Sequence, residues 1–504
     1  MSRTRRFLGG VGWGYFSQLV MTVSGFVLTP IILSTVGQQA YGLWAVGLQI
    51  TAYLGLLDVG VVALLPREVA YAVGRANAAG PSSDAELAEL IGRSVRVVLW
   101  QLPAVAAVAA AIWLFMPDEW AGLRGPMAFI LLTFVTLFPL RLASAVLLGM
   151  QDLSFSSWWQ TASWTLGTGL MVALVMLGFG LPALAAGWAT TQLVASVGCV
   201  VRLRALHPAS LPRRLPAMRG SDVMAYIKRT SFVSVAQVAQ ALTAGSDVLI
   251  VGKLLGPEAV VPYVMTGKLV ALLANQPSLL LHVALPGLAE LRSGSSTERL
   301  ERASTALGQG MLMLTGLVLA LVVLVNGAFV AWWVGAEHYA GLPLTVALCV
   351  LTLLRSWNST VVVLDFALGE ERRLAYTALV DGVVTVLAAS ALVWRLGAIG
   401  APIGGIIGVA VVSLPANLRA GARHLQMRAW DLVSPMVPLF VRAAALAAAA
   451  AYLAPRWPPA TFLGLAAAST AAALVYAATV GPLALRAPLG TYVVPRLDRL
   501  RRRG

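Results

Sequence analysis

The chain consists mainly of long apolar runs separated by short polar stretches. Fourteen runs approach or exceed the ~20 residues that an α-helix needs to cross the hydrocarbon core of a bilayer. Their approximate limits are residues 10–33, 40–65, 94–116, 125–149, 155–178, 182–201, 230–252, 259–286, 305–333, 341–367, 374–394, 398–418, 433–454 and 460–482. The pattern therefore predicts an all-α, polytopic membrane protein with about 14 transmembrane helices.

A basic stretch near the middle of the chain, Arg202–Arg229, interrupts these runs. It carries one acid, Asp222, against seven Lys and Arg residues, and prolines at 208, 212 and 216. Proline removes a backbone donor and clashes with the preceding turn, so no continuous helix is expected here. Similar numbers of spans lie on either side, and we interpret the stretch as a cytoplasmic linker between two related halves.

Two segments support this division into halves. Thr35–Ile50 and Leu254–Leu273 each combine a short glycine-containing turn, a tyrosine and an apolar helix. Six spans per half, both entering from the same side, imply a parallel repeat about an axis along the membrane normal. The expected organisation is an N-lobe at 1–203, a basic linker at 204–229, a C-lobe at 230–420, two extra spans within 421–484 and a basic tail at 485–504.

Composition narrows the class of protein. The chain is 59% hydrophobic and 11% charged, whereas soluble domains carry about 25% charged residues. The net charge of +15 arises from Lys and Arg in short loops, which membrane topology explains better than a nucleic-acid partner. Cys199 and Cys349 lie in apolar runs without a closely spaced partner, so neither a disulfide framework nor a metal site is expected.

The basic residues also predict an orientation, because cytoplasmic loops hold the Lys and Arg excess. With the N-terminus inside, nearly all of them fall in cytoplasmic loops or tails. The exceptions are Arg124, Lys253, Arg395 and Arg456 on the outer side, and Arg141, Lys268, Arg355 and Arg442 inside spans. Both termini are therefore expected in the cytoplasm. The first apolar run is read as a span and not as a cleaved signal peptide.

Lys268 is the first candidate for substrate binding, because ionisable residues inside spans usually face a cavity or a partner. Lys268, Asn275 and His282 recur every seven residues and share one face of the eighth predicted span. This face is expected to line a cavity in which the ammonium meets an anion. The alternatives are an ion pair between Lys268 and Asp247, and a position of His282 near the cytoplasmic boundary.

Two arginines inside spans are further candidates. The planar guanidinium of Arg355 suits phosphate oxygens, but a structural ion pair with Asp365 or Asp381 is equally consistent with the sequence. Arg141 would be the counterpart of Arg355 in the first half. It lies close enough to the inner end of its span that its side chain reaching the interface is an open alternative.

Polar residues on spans seven and two complete the set. Gln237, Gln240 and Asp247 follow helical spacing on span seven and either bind sugar hydroxyls in a wet cavity or hold helices together. Asp58, near the inner end of span two, is expected to be a gate counterion with Arg67 as a candidate partner, and a proton-coupling site is the alternative. Gating or ion coupling is also assigned to Asp247 and Asp365.

At Thr35–Asp58 and Asp247–Tyr263 the sequence resembles the multidrug/oligosaccharidyl-lipid/polysaccharide exporter (MOP) superfamily. Within it, the chain is most similar to Wzx-type polysaccharide flippases and to the lipid II flippases. The residues that carry the resemblance are Pro30, Gly37, Tyr41, Gly42 and Tyr53–Gly60 in the first half, and Asp247, Gly256, Tyr263 and Lys268 in the second.

The resemblance implies two six-helix lobes around a cavity that opens alternately to either side of the membrane. It implies an undecaprenyl-pyrophosphate-linked oligosaccharide as cargo, moved across the bacterial inner membrane for surface polysaccharide such as O-antigen. Spans thirteen and fourteen are then expected to form a groove for the lipid tail. The implied partners are this glycan and the bilayer, with a polysaccharide polymerase or other assembly proteins as further candidates.

Departures from the family pattern bear on the cargo. Span one carries no arginine between Arg6 and Asp58, which disfavours lipid II itself, and it lacks the acid typical of drug antiporters. A drug or metabolite antiporter on the same fold is the alternative. A membrane-embedded glycosyltransferase is disfavoured by the short loops, and without a phosphate-binding loop motif no nucleotide cofactor is expected.

Overall fold

A computed structural model of the chain describes residues 3–58, 60–79, 83–208, 211–212, 215–218, 220–273, 281, 297–459, 461–492 and 494. The described elements are helices, which confirms the predicted all-α polytopic membrane class. Within these residues, ten helical stretches are long and apolar enough to cross a membrane, or eleven if one bent pair counts as a span. The stretch Glu371–His424 alone covers the predicted spans eleven and twelve.

The chain divides into two compact units, Met1–Val238 and Ala239–Gly504. The division falls inside a helix, Gly220–Thr243, that begins within the predicted linker. The finer division into lobes, linker, extra spans and tail stays a prediction.

The described residues of unit 1 form eight α-helices and the first part of a ninth. They are α1 (Arg3–Val36), α2 (Gln38–Leu54), α3 (Val61–Ala79), α4 (Ser83–Leu114), α5 (Arg124–Leu137), α6 (Arg141–Gly149), α7 (Leu153–Met176), α8 (Leu181–Leu206) and α9 (Gly220–Thr243). Short 3₁₀ turns at Gly55–Asp58, Asp118–Leu123 and Phe138–Leu140 join or extend them.

The predicted span at 40–65 is not continuous. Helix α2 passes into the turn Gly55–Asp58, and Gly60 has a φ of 73°, a left-handed conformation that glycine adopts without steric cost. The chain then begins α3, an amphipathic helix of which only the first residues belong to the predicted span at 40–65. Its buried residues Val61, Leu65 and Val69 recur every four residues and form one apolar stripe.

Unit 2 contains the remaining helices. They are α10 (Ser246–Leu254), α11 (257–273), α12 (Thr297–Trp333), α13 (Leu342–Ala367), α14 (Glu371–Leu396), α15 (Gly400–Gly408), α16 (Leu414–His424), α17 (Ala429–Val433), α18 (Val437–Leu453) and α19 (Phe462–Ala484). The end of α9 and α10 bend by 47° around Gly245, whose φ is 143°. A short π-helical segment, Val409–Ser413, joins α15 to α16. Pro415 follows it, and because proline cannot donate to the preceding turn, the regular helix is locally widened there.

Gly400, Gly404 and Gly408 recur every four residues, and from this small-residue face the sequence predicts close helix packing. In the structure the face packs against α14. A Cβ atom on Gly404 would lie 2.3 Å from the backbone nitrogen of Ala389. One on Gly408 would lie 2.1 Å from Oγ1 of Thr385. The predicted packing face is therefore confirmed, and it brings the polar residues of these helices into contact.

Candidate functional site

Asp58 is a buried carboxylate at the end of the turn after α2. Its side chain is 4% exposed, and its Oδ1 accepts a hydrogen bond of 2.9 Å from the backbone N–H of Gly60. The amide of Gln101 on α4 donates to the Asp58 carbonyl oxygen at 3.3 Å. Backbone and neighbouring helices therefore fix the carboxylate in place.

Arg141 is the cation nearest to this carboxylate. Its Nη2 lies 3.8 Å from Oδ2 of Asp58, so Arg141, and not Arg67, is the partner of Asp58 in the structure. The guanidinium lies 5.5 Å from the ring centre of Phe134 and 5.9 Å from that of Phe138, distances at which a cation is attracted to an aromatic face.

The hydrogen-bonding capacity of Arg141 is only partly used. Its side chain is 31% exposed, and its Nη1, although buried, has no hydrogen-bond partner in the part of the chain that the structure describes. A guanidinium carries five N–H donors, and a single long contact to Asp58 leaves most of them available. Arg141 is thus held in position while able to bind an anion.

A cavity of about 350 Å³ opens beside Arg141 within unit 1. Helices α2, α5, α6 and α8 provide its walls. The lining residues are Leu48, Thr51, Ala52, Gly55, Phe134, Leu137, Arg141, Trp188, Gln192 and Ser196. Its wall thus combines one cation, an indole, an amide and hydroxyl groups, which are the groups that recognise phosphates and sugars.

Helix α8 supplies the polar wall of this cavity. Trp188, Gln192 and Ser196 are spaced four residues apart, so they lie along one face of the helix. These three residues were not predicted as site residues, although their spacing is visible in the sequence. Thr51 of α2 faces the same cavity and donates its hydroxyl proton to the carbonyl of Gly47 at 2.7 Å.

In unit 2, Arg355 forms the structural ion pair that the sequence left open. Its Nη1 lies 2.6 Å from Oδ2 of Asp381, and its Nη2 lies 3.1 Å from Oδ1. Thr385 donates to Oδ1 of the same carboxylate at 3.0 Å, and Ser413 donates to Oδ2 at 2.6 Å. The carboxylate is 2% exposed, so Arg355 and Asp381 are bound to each other on α13 and α14. A substrate-binding role of Arg355 stays a prediction.

Asp365 takes part in a second polar cluster of unit 2. Arg373 at the start of α14 donates to Oδ2 of Asp365 at 2.5 Å and to Oδ1 of Asn417 at 2.9 Å. Arg373 also contacts Glu370 at 3.2 Å, and His424 lies 2.8 Å from the other oxygen of Glu370. This cluster joins the end of α13, the start of α14 and α16. Gating or ion coupling by Asp365 stays a prediction.

Asp247 of the predicted span seven has a partner other than Lys268. Asp247 accepts a hydrogen bond of 2.5 Å from the Tyr263 hydroxyl, and no ion pair with Lys268 occurs among the described residues. Lys268 is exposed on unit 2, Gln240 is exposed, and Gln237 is partly buried. Asn275 and His282 lie outside the described residues. The roles predicted for these residues therefore stay predictions.

An apolar cavity of about 290 Å³ lies between α12, α18 and α19. We call it the apolar groove. Most of its lining residues are small or aliphatic. They are Ala320, Leu324, Leu446, Ala449, Ala450, Leu453, Trp457, Pro459, Ala468, Ala471, Ala472, Val475 and Tyr476. Alanines on both C-terminal helices leave the open space, so the groove suits an alkyl chain.

Sequence comparisons identify no relative, because neither a family model nor a curated protein matches the chain. Solved structures do match. The chain is similar to the lipid II flippase MurJ in an inward closed conformation, with a TM-score of 0.61 and 12% identity over 93% of this chain and 100% of that chain. It is also similar to an inward-facing multidrug resistance MATE family transporter of the MOP superfamily, with a TM-score of 0.57 and 18% identity over 80% of this chain and 98% of that one. An outward-facing MATE family transporter gives a TM-score of 0.51 and 17% identity over 85% and 94% of the two chains. The chain therefore shares the fold of these three solved structures.

Proposed function

We propose that the protein is a flippase that moves an undecaprenyl-pyrophosphate-linked oligosaccharide across the bacterial inner membrane by alternating access. The observation that carries the proposal is the cavity beside Arg141. It contains a fixed guanidinium with unused donors, next to an indole, an amide and hydroxyls. A membrane transporter fold supports the same conclusion. On this proposal both termini face the cytoplasm.

Each group of the cavity has a role toward such a cargo. Arg141 offers a planar set of donors that matches the oxygens of a phosphate. Trp188 supplies an aromatic face on which a sugar ring stacks, and Gln192 and Ser196 offer hydrogen bonds to hydroxyl groups. Asp58 positions Arg141 from a distance of 3.8 Å and leaves most of its N–H donors unused. When the pyrophosphate leaves, the same carboxylate remains as the counterion of Arg141.

The apolar groove completes the proposed fit to a lipid carrier. A polyprenyl chain is long and apolar, and its transfer from water to an apolar environment is favourable by about 0.8 kcal/mol per CH₂ group. The alanine-lined space between α12, α18 and α19 would keep the chain against unit 2 while the polar headgroup crosses. This role is the one that the resemblance implies for spans thirteen and fourteen.

A reconstituted transport assay tests the proposal. The full chain is placed in vesicles that contain an undecaprenyl-pyrophosphate saccharide with a fluorophore on the sugar, and a membrane-impermeant reductant reports which leaflet holds the fluorophore. We expect protein-dependent exchange between leaflets. The variant Arg141→Gln should lose it, because hydrogen bonds to charged groups contribute about 1.5–3 kcal/mol.

Arg124→Gln is the matched control, since Arg124 is half-exposed and contacts Asp118 at the surface. It should exchange the lipid like the unmodified protein. Equal rates in Arg141→Gln and Arg124→Gln would refute the assigned site. A cationic drug antiporter is the alternative function, and it requires an acidic cavity. Protein-dependent uptake of a cationic dye, without exchange of the glycolipid, would replace the proposed function by that one.

A further inference from the structure

A further cavity, separate from the one beside Arg141 and from the apolar groove, lies at one end of unit 2. It has a volume of about 580 Å³ and lies between the start of α14, the end of α16 and the start of α17. We call it the basic pocket. It is lined by Arg373, Thr377, Ala416, Arg419, Ala422, Arg423, Met427 and Ala429. Three of these eight residues are arginines, so the pocket is suited to an anion.

The three arginines differ in how far their charges are neutralised. Arg373 is bound to Asp365 and Glu370, and neither acid lines the pocket. Arg419 and Arg423 are exposed, and neither forms an ion pair with another residue in the described ranges. Arg373 is therefore a fixed wall, whereas Arg419 and Arg423 bring uncompensated positive charge to the same space.

Helix geometry places these two charges together. Arg419 and Arg423 are four residues apart on α16 and lie on one face. The negative end of the helix dipole stabilises basic residues in the last turn, and this effect alone explains the presence of Arg423. The helix dipole does not explain the open cavity, which Ala416, Ala422 and Ala429 keep free of large side chains.

The position of the pocket indicates what kind of anion it takes. The predicted orientation puts the loops that hold Arg372, Arg373 and Arg419–Arg428 on the cytoplasmic side. Trp430 follows the pocket and is 64% exposed, and tryptophan is enriched at the membrane–water interface. Met427 and Ala429 give the pocket an apolar edge. On the predicted orientation, the pocket thus places apolar and cationic surface together near the cytoplasmic lipid headgroups, a combination that binds anionic lipids in other membrane proteins.

We propose that the basic pocket binds the phosphodiester headgroup of an anionic phospholipid of the cytoplasmic leaflet. The headgroup would join the α13–α14 end to α16 by contacting Arg419 and Arg423 beside Arg373. Because these elements also carry the Asp365–Arg373 pair, the bound lipid stabilises this end of unit 2. The site is distinct from the proposed cargo cavity and does not depend on the nature of the cargo.

The test compares lipids and variants with the full chain in detergent. Binding of phosphatidylglycerol, cardiolipin and phosphatidylcholine is measured by native mass spectrometry and by the shift of the melting temperature. Arg419→Gln/Arg423→Gln is the variant, since both side chains are exposed and their loss should not prevent folding. We expect anionic lipids to raise the melting temperature and the double variant to bind them about 10–30-fold more weakly, from about 1 kcal/mol per arginine near the membrane surface.

Arg395→Gln/Arg456→Gln removes the same charge from the predicted outer side and is the control. It should retain the lipid shift. Equal shifts in both double variants, or an equal effect of phosphatidylcholine, would overturn the proposal. Binding of undecaprenyl pyrophosphate without binding of phosphatidylglycerol would likewise overturn it, and would assign the pocket to the cargo. Saturation by inorganic phosphate alone at millimolar concentration would show a simple anion site and no lipid site.

Discussion

Arg141 in unit 1 and Arg355 in unit 2 are the same residue type inside membrane helices, yet their surroundings differ. Arg355 makes two short contacts with Asp381, and the hydroxyls of Thr385 and Ser413 donate further hydrogen bonds to the same carboxylate. Arg141 makes one contact of 3.8 Å and lines a cavity. An arginine inside a membrane helix can therefore either hold helices together or be available to bind an anion. The number of its N–H donors already in hydrogen bonds distinguishes these two roles.

The largest effect is expected on stability at Arg355. Arg355→Met would leave the buried Asp381 carboxylate without its cation, and breaking a buried pair destabilises a protein by about 3–5 kcal/mol. Thermal unfolding in detergent should therefore show a marked fall in melting temperature. Arg141→Met should cause a smaller fall, because Arg141 approaches Asp58 only at 3.8 Å whereas Arg355 makes two short hydrogen bonds to Asp381.

The double variant Arg355→Met/Asp381→Leu sharpens this comparison. It removes both charges, and replacing a buried pair by apolar residues is often neutral. It should recover much of the stability that Arg355→Met loses. A double variant as unstable as Arg355→Met would mean that Arg355 does not act through Asp381.

The next effect concerns transport at Arg141. Arg141→Lys keeps the positive charge but loses the planar set of donors. We expect glycolipid exchange about 10–100-fold slower than in the unmodified protein, from loss of about 1.5–3 kcal/mol of charged hydrogen bonding, with a nearly unchanged melting temperature. Full activity of Arg141→Lys would mean that only charge, and not geometry, matters at this position.

Some of these features can be predicted from the sequence, and others depend on tertiary packing. Hydropathy predicts the all-α membrane class but not the break after α2 or the extent of α3. The spacing of Gly400, Gly404 and Gly408 predicts a packing face that the structure confirms. For Arg355 the sequence leaves two possible partners, Asp365 and Asp381. It does not distinguish them, because Asp381 approaches Arg355 only through the packing of α13 against α14. Asp58 and Arg141 lie 83 positions apart, and nothing local couples them. Trp188, Gln192 and Ser196 were missed since their significance depends on the cavity that they line.

Lys268 provides an intermediate test, because its exposed side chain makes no ion pair among the described residues. Lys268→Ala should leave the amount of protein in the membrane unchanged. If Lys268 contacts the cargo, as its position on span eight predicts, export of surface glycan should be strongly reduced in cells that depend on this chain. Normal export at a normal protein level would remove Lys268 from the proposed site.

A smaller effect is expected in the apolar groove. Ala471 lines it, whereas Ala467, one turn earlier on α19, is exposed and does not. Ala471→Phe should slow exchange of a long polyprenyl carrier about two- to fivefold by displacing about one CH₂ group of the chain from the groove, and should spare a short-chain analogue. Ala467→Phe is the control and should slow neither. Equal slowing of both carriers by Ala471→Phe would argue against a role in holding the tail.

The smallest effect concerns the surface end of the Arg373 cluster. The hydrogen bond from His424 is the main cause that lowers the pKa of Glu370 below its ordinary value of 4.5. A carboxyl group whose pKa is lower in the folded state stabilises that state above pH 4.5, and loses this contribution as the pH falls through the folded pKa. His424→Gln should therefore lower the melting temperature at pH 6 by at most about 2 °C, since exposed pairs contribute little. The difference from the unmodified protein should shrink toward pH 4. A difference that grows on acidification would mean that His424 stabilises the fold through a group other than Glu370.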